Sequence, residues 1–210
     1  VLLKEVIILG KATGWEEAPL HFGEEEIQTW GLNTHILVRP LDIVFEPHDV
    51  EWWLNNFNET TWWHKSEGGY DRHLEKVNEM EIPYLTLTHY PFIPTSQPYP
   101  VEEVVQELGI DYFTGGIDYM IAYAIYKRVE RIRIYGVHTT FDDEYLYQKP
   151  SLEGWIMYAK GRGIDVKVHG SHSLFKPMYQ GKIFTNDAKN ADGLRYGYFI
   201  KPTVNTICVK

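Results

Sequence analysis

The chain has 210 residues, 44% of them hydrophobic and 15% aromatic; that is enough apolar surface for one folded domain of ordinary size and excludes a disordered protein. A net charge of −9, with Asp and Glu spread along the chain, disfavours nucleic acid as the main partner, because phosphate-backbone binding needs clustered cations. The single cysteine, Cys208, rules out an internal disulfide, and no apolar run approaches the ~18 residues that span a bilayer.

The first residues lack the basic, apolar and cleavable pattern of a leader, so a cytoplasmic protein without a membrane partner is expected. Residues 6–9 (VIIL) form a continuous apolar run ending in Gly10, the pattern of a central parallel strand buried on both faces. The loop after it, GKATGW, places Lys11 and Thr13 between Gly10 and Gly14. It resembles a phosphate-cradling turn in kind but lacks the spacings GxxxxGK[ST] and GxGxxG, so neither a P-loop kinase nor a dehydrogenase is supported.

Residues 27–32 (IQTWGL) and 42–45 (DIVF) read as short strands that end in Asn33 and in Glu46-Pro47-His48. If the strands are parallel, these polar residues emerge at the same sheet edge as the first glycine loop. Asn33 could bridge a ribose or base edge there, and His48 or Glu46 could move protons near neutral pH. The competing reading of His48 is a helix-entry residue after Pro47. A short helix is expected over 49–57, a loop over 55–69 and a charged helix over 70–80. Residues 83–88 (PYLTLT) read as another strand. The four prolines in 89–100 predict irregular structure, followed by a short helix over 101–108.

The most informative stretch is 111–149. After TGG, Ile117, Met120, Ile121, Ala124 and Ile125 recur at helical spacing, with Thr114 where an N-cap belongs. The helix should fade near Lys127 and Arg128 and lead into a strand over 132–137 that ends about Gly136. Gly115 and Gly116 carry no Cβ, so their N–H groups could face an anion at the helix start; the alternative is a tight turn alone. A polar loop is expected from His138 to Lys149, at the edge where open α/β sheets bind ligands. Beyond it, a helix capped by Ser151 should run to 161 and a closing strand from 164 to 168. Residues 174–210 show no clear period and are expected to wrap the domain or a partner subunit, which leaves a homo-oligomer open. Asp142 and Asp143 are the only cue for a divalent cation such as Mg²⁺, and no ligand set for a metal can be named.

The order GKATGW, WGLN, FEPH, YFTGGIDYMIAYAI, IRIYGV, EYLYQKPS and GRGIDV resembles a Rossmann-like family common among tailed-phage proteins. That family is in turn distantly similar to the 6-hydroxymethylpterin pyrophosphokinase-like fold and to bacterial sialyltransferases. The resemblance implies an α/β fold: a Rossmann-like three-layer domain over 1–173 with a mostly parallel sheet, and an irregular C-terminal extension over 174–210. It also implies a nucleotide or nucleotide-sugar donor across the carboxyl edge of the sheet, and a host-cytoplasmic location if the protein is phage-encoded. Carried over by position, Gly10, Thr13, Gly14 and Asn33 would border the nucleotide, and Thr114, Gly115 and Gly116 its ribose or phosphate. Gly136 would lie in the same cleft. His48, His138 and Glu144 are the proton-transfer candidates, while Tyr147, Gln148 and Lys149 could grip an acceptor or a departing phosphate.

Three readings follow. The first is a transferase, glycosyltransferase-like, with a nucleotide-activated donor whose leaving phosphate is stabilised by helix N-termini, Lys149 or a bound Mg²⁺. The second is a nucleotide-binding or structural phage accessory protein without turnover, and the third a pterin-type pyrophosphokinase that releases AMP. A further reading is a DNA-modifying enzyme; the acidic balance argues against a large duplex-binding face, but a free modified nucleotide could be its acceptor.

Overall fold

The apolar run after the N-terminus forms the central strand, β1 (Glu5–Leu9), of a seven-stranded sheet in which every pairing is parallel. Described here are residues 2–57, 70–139, 144–170 and 172–175, together with three two-residue strands beyond them. The other strands are β2 (Ile27–Leu32), β3 (Ile43–Phe45), β4 (Tyr84–Thr86), β5 (Ser96–Pro98), β6 (Arg131–Tyr135) and β7 (Asp165–Val168). Their spatial order is β5-β4-β3-β2-β1-β6-β7. Strand order therefore runs outward in both directions from β1, and the change of direction between β1 and β6 leaves a crevice at their carboxyl ends.

Helices cover both faces, giving the three layers expected. On one side lie α3 (Val101–Leu108), α4 (Gly116–Tyr126) and α5 (Lys149–Gly161), which pack Val104, Met120, Ile121, Trp155 and Ile156 against Val6 and Ile8. On the other lie α1 (Val50–Phe57), α2 (Tyr70–Met80) and a 3-10 turn, Asn33–Leu37, whose Val50, Val77 and Ile36 meet Ile7 and Leu9. Both faces of β1 are thus sealed, and each of Val6, Ile7, Ile8 and Leu9 is fully buried. That is why the strand reads as a solid apolar block rather than an alternating one, each such side chain contributing about 1.5–3 kcal/mol.

Several local expectations are corrected. The proline-rich segment is not wholly irregular: Ser96–Pro98 pairs with β4 as the edge strand, where a missing N–H is tolerated. The N-cap of α4 is Gly115, not Thr114, and the extended backbone of Gly115 carries no capping side chain. The polar loop ends early, because Glu144–Gln148 forms a π-helical turn that runs directly into α5 at Lys149. Ser151 is consequently inside α5 and fully buried instead of capping it. Residues 58–69 and 140–143 lie outside the described residues. Of the C-terminal extension, the strands β8 (Met178–Tyr179), β9 (Lys182–Ile183) and β10 (Ile207–Cys208) pair antiparallel in a separate sheet. Leu174 is fully buried in the core beside α5. Among the described residues no helix is long and apolar enough to cross a membrane.

Candidate functional site

The turns after β1 and β6 are laid directly on each other. Gly10 N–H donates to Tyr135 O at 2.8 Å, and Ala12 N–H donates to Gly136 O at 2.9 Å. Such an approach leaves no room for side chains: a Cβ on Gly10 would collide with Gly136 O, and one on Gly136 would sit 2.6 Å from Ala12 O. Gly136 also has φ +64°, a conformation natural to glycine. This pair of glycines is therefore demanded by the crossing of two backbones.

A cleft of about 550 Å³ opens at this crossing. Its walls come from Gly10, Lys11 and Ala12 after β1, from Leu32 at the end of β2, and from Gly136, Val137, His138 and Thr139 after β6. The start of α4 adds Gly115, Ile117 and Asp118, and the π-helical turn adds Gln148. Five of the expected site residues, Gly10, Gly115, Gly136, His138 and Gln148, meet here. None of the other described ones lines it. Thr13 is exposed, and Gly14, at φ +100°, donates its N–H to Glu16 Oε2 at 2.9 Å. Asn33 is buried, with Oδ1 accepting the Thr34 N–H at 2.8 Å. Gly116 serves packing, since a Cβ there would lie 2.5 Å from Leu32 Cδ2. Tyr147 is exposed, and Lys149 is buried in an ion pair with Glu153 at 3.2 Å. The Glu144 side chain and Asp142 and Asp143 lie outside what is described. Among the described residues no group of three or more His, Cys, Asp or Glu is placed to hold a metal ion.

The start of α4 differs chemically from an open anion hole. Asp118 Oδ2 accepts the Thr114 N–H at 2.9 Å, the Gly115 N–H at 3.2 Å and the Ser151 hydroxyl at 2.7 Å. The Thr114 hydroxyl lies 3.1 Å from the same oxygen and 3.0 Å from Tyr147 O. Burial raises the Asp118 carboxyl above the usual range, opposed by these hydrogen bonds from Ser151, Thr114 and Gly115. A carboxylate three residues after the N-cap is half of a capping box, a spacing visible in GIDY once Gly115 is taken as the cap. Lys11 is a further cleft residue absent from the expected set; its Nζ donates to the Thr34 hydroxyl. Beside this loop, His35 is 2% exposed, with neither ring nitrogen hydrogen-bonded among the described residues, and its ring meets Trp15 edge-on at 4.8 Å. Burial, then the charges of Lys11 and Arg39, lower its pKa to about 4.

His48 belongs to a second polar cluster, between the end of β3, the start of β4 and α2. Its Nδ1 lies 2.5 Å from Oε1 of the fully buried Glu46, and its backbone N–H also reaches that oxygen at 3.2 Å. Tyr84 OH donates to Glu46 Oε2 at 3.4 Å and lies 2.9 Å from His73 Nε2. His48 and Glu46 thus emerge at the expected sheet edge, but β3 is two strands from β1, about 10 Å away.

Taken together, the parallel sheet, its change of strand direction and the edge cleft define an α/β fold with helices on both faces. Known structures with this fold include the sialyltransferase CstII from Campylobacter jejuni in complex with cytidine-5'-monophosphate, with a TM-score of 0.51, 13% identity and 80% of each chain covered. The same enzyme in complex with CMP-3FNeuAc matches with a TM-score of 0.50 and 12% identity over 79% of this chain and 80% of that one. Such identities speak for a shared fold, which is the sialyltransferase-like part of the sequence resemblance. No protein-family model matches the chain, and no curated protein matches it either.

Proposed function

We propose that the protein is a glycosyltransferase that takes a nucleotide-sugar donor into the β1–β6 cleft. The observation that carries this is the cleft itself: about 550 Å³ at the strand-order crossover, walled by both glycine turns and Lys11. The likeness of fold to an enzyme described in complex with CMP and CMP-3FNeuAc supports the same reading. Donor phosphate would lie toward Lys11 and the Gly10–Ala12 turn, where a cation offsets the charge that develops as the bond from the anomeric carbon to the phosphate oxygen breaks. The acceptor oxygen forms the new bond and loses its proton to a base. His138 is the candidate within the cleft, and His48, held by Glu46, the candidate further along the edge.

A thermal-shift screen against nucleoside mono- and diphosphates and their sugar conjugates tests this. A ligand present at 100 times its Kd adds about 2.7 kcal/mol and a readable rise in Tm. Lys11→Met should weaken that ligand about tenfold, the order of one charge-assisted contact, and leave the Tm of the free protein nearly unchanged. Absence of a shift with every nucleotide would sink the assignment. Binding without donor turnover would place the protein in the non-catalytic class instead, and AMP release from ATP would favour pyrophosphoryl transfer.

A further inference from the structure

Asp118 is 1% exposed yet forms part of the cleft wall. All its hydrogen bonds converge on one oxygen, Oδ2, which takes the Thr114 and Gly115 N–H groups and the Ser151 hydroxyl. Oδ1 makes no hydrogen bond among the described residues, and it is not among the sealed-off polar atoms. An oxygen that is not sealed off can take a donor from the cleft, either a water or a group of a bound ligand.

The start of α4 would otherwise attract an anion through its dipole and free N–H groups. Here the Gly115 N–H is already spent on Asp118, and the carboxylate sets a negative charge in the mouth of the helix. A phosphate at this wall would meet like charge, whereas an O–H or N–H donor would complete the Oδ1 bonding. On the reading of the cleft as a nucleotide site, we propose that Asp118 Oδ1 accepts a hydrogen bond from an uncharged donor of the bound nucleotide. That donor is a ribose hydroxyl or an exocyclic amine, and Asp118 thereby directs the phosphates to the Lys11 side. Asp118 is then a specificity residue rather than only a loop clasp.

The two roles separate by ratios. Calorimetric titration of CMP, UMP, AMP and IMP, each with its 2′-deoxy and 3′-deoxy forms, removes one donor at a time. Loss of the donor that faces Asp118 should weaken binding to the unaltered protein about tenfold or more, the size of a hydrogen bond to a charged group. A loss on deoxygenation identifies the ribose, and a loss from CMP to UMP or AMP to IMP identifies the amine. In Asp118→Asn the carboxamide can keep its oxygen on Thr114, Gly115 and Ser151 while presenting N–H to the cleft. The discriminating ratio should then fall below about twofold, and inorganic phosphate should compete better. A purely structural Asp118 would weaken all ligands together and keep the ratio. If a nucleotide binds the unaltered protein but every analogue of it lies within twofold, the inference fails while the assignment of the cleft stands. No binding by any of them overturns both. Because the analogue series needs no variant, it decides even if Asp118→Asn does not fold.

Discussion

At the carboxyl edge of the sheet, the turns after β1 and β6 meet backbone to backbone, whereas the residues after β3 meet β4 side chain to side chain. At the first place Gly10, Ala12 and Gly136 exchange close main-chain contacts and leave a cleft of about 550 Å³. At the second, Glu46 is fully buried against His48 and Tyr84, and the cavity that Glu46 adjoins measures only about 20 Å³. Backbone carries no titratable charge and makes a durable open wall. Buried side chains hold charge in one place but fill the space they occupy. The edge thus divides into a part with room for a ligand and a part with a held carboxylate–imidazole pair.

The comparison can be broken most forcefully at Gly136. Gly136→Ala puts a Cβ 2.6 Å from Ala12 O and 2.7 Å from Gly10 O at a φ of +64°. Left-handed strain and overpacking together should cost about 4 kcal/mol, and nucleotide binding should go with it. A Tm within a degree of the parent would show that the two turns do not need their close approach.

Acid should act next, through the buried histidine beside the first glycine loop. His35 titrates at about 4 in the folded protein, below its ordinary 6.5, so the unfolded chain takes up the proton first. Its contribution is complete above pH 6.5 and is lost as pH falls from 6.5 toward 4, a loss of about 3 kcal/mol at 1.36 kcal/mol per unit. Denaturant midpoints across that window should drop in the parent and drop less in His35→Leu. Equal slopes in both would remove His35 as the acid-sensitive group.

The smallest effect is expected at the other end of the edge. Glu46→Gln keeps the shape but sets N–H groups against His48 or Tyr84, costing about 2 kcal/mol. Nucleotide affinity should change less than twofold, because Glu46 and His48 do not line the cleft. A large loss of affinity would merge the two regions into one site.

Much of the fold was legible because burial on both faces leaves a plain trace. Residues 6–9 read as a central strand from their apolar block alone, and the helices over 70–80 and 101–108 match the expected spans. Short edge elements were not legible: Ser96–Pro98 is a strand only because β4 lies beside it, a pairing that four nearby prolines obscure. The site was half legible. Glycines after strands or just before a helix mark turns, so Gly10, Gly136 and Gly115 could be picked out. Nothing local reveals that Gly14, Asn33 and Gly116 spend their special conformation or small size on other contacts. Asp118 was hidden by taking Thr114 as the cap, which shifts the capping-box spacing by one residue.

Apolar periodicity, strand-ending glycines and charge balance by themselves determined an α/β domain with its polar residues along one sheet edge, since these depend on neighbours in sequence and on burial. Which of those residues share a cleft was decided only by the tertiary structure. Strand order set β1 beside β6, with Glu5 paired to Arg131, more than half of the sequence away, and left His48 two strands away. The same packing turned the α4 start from a bare glycine turn into one closed by Asp118 and Ser151, because the Ser151 hydroxyl reaches that carboxylate only when α5 lies against α4.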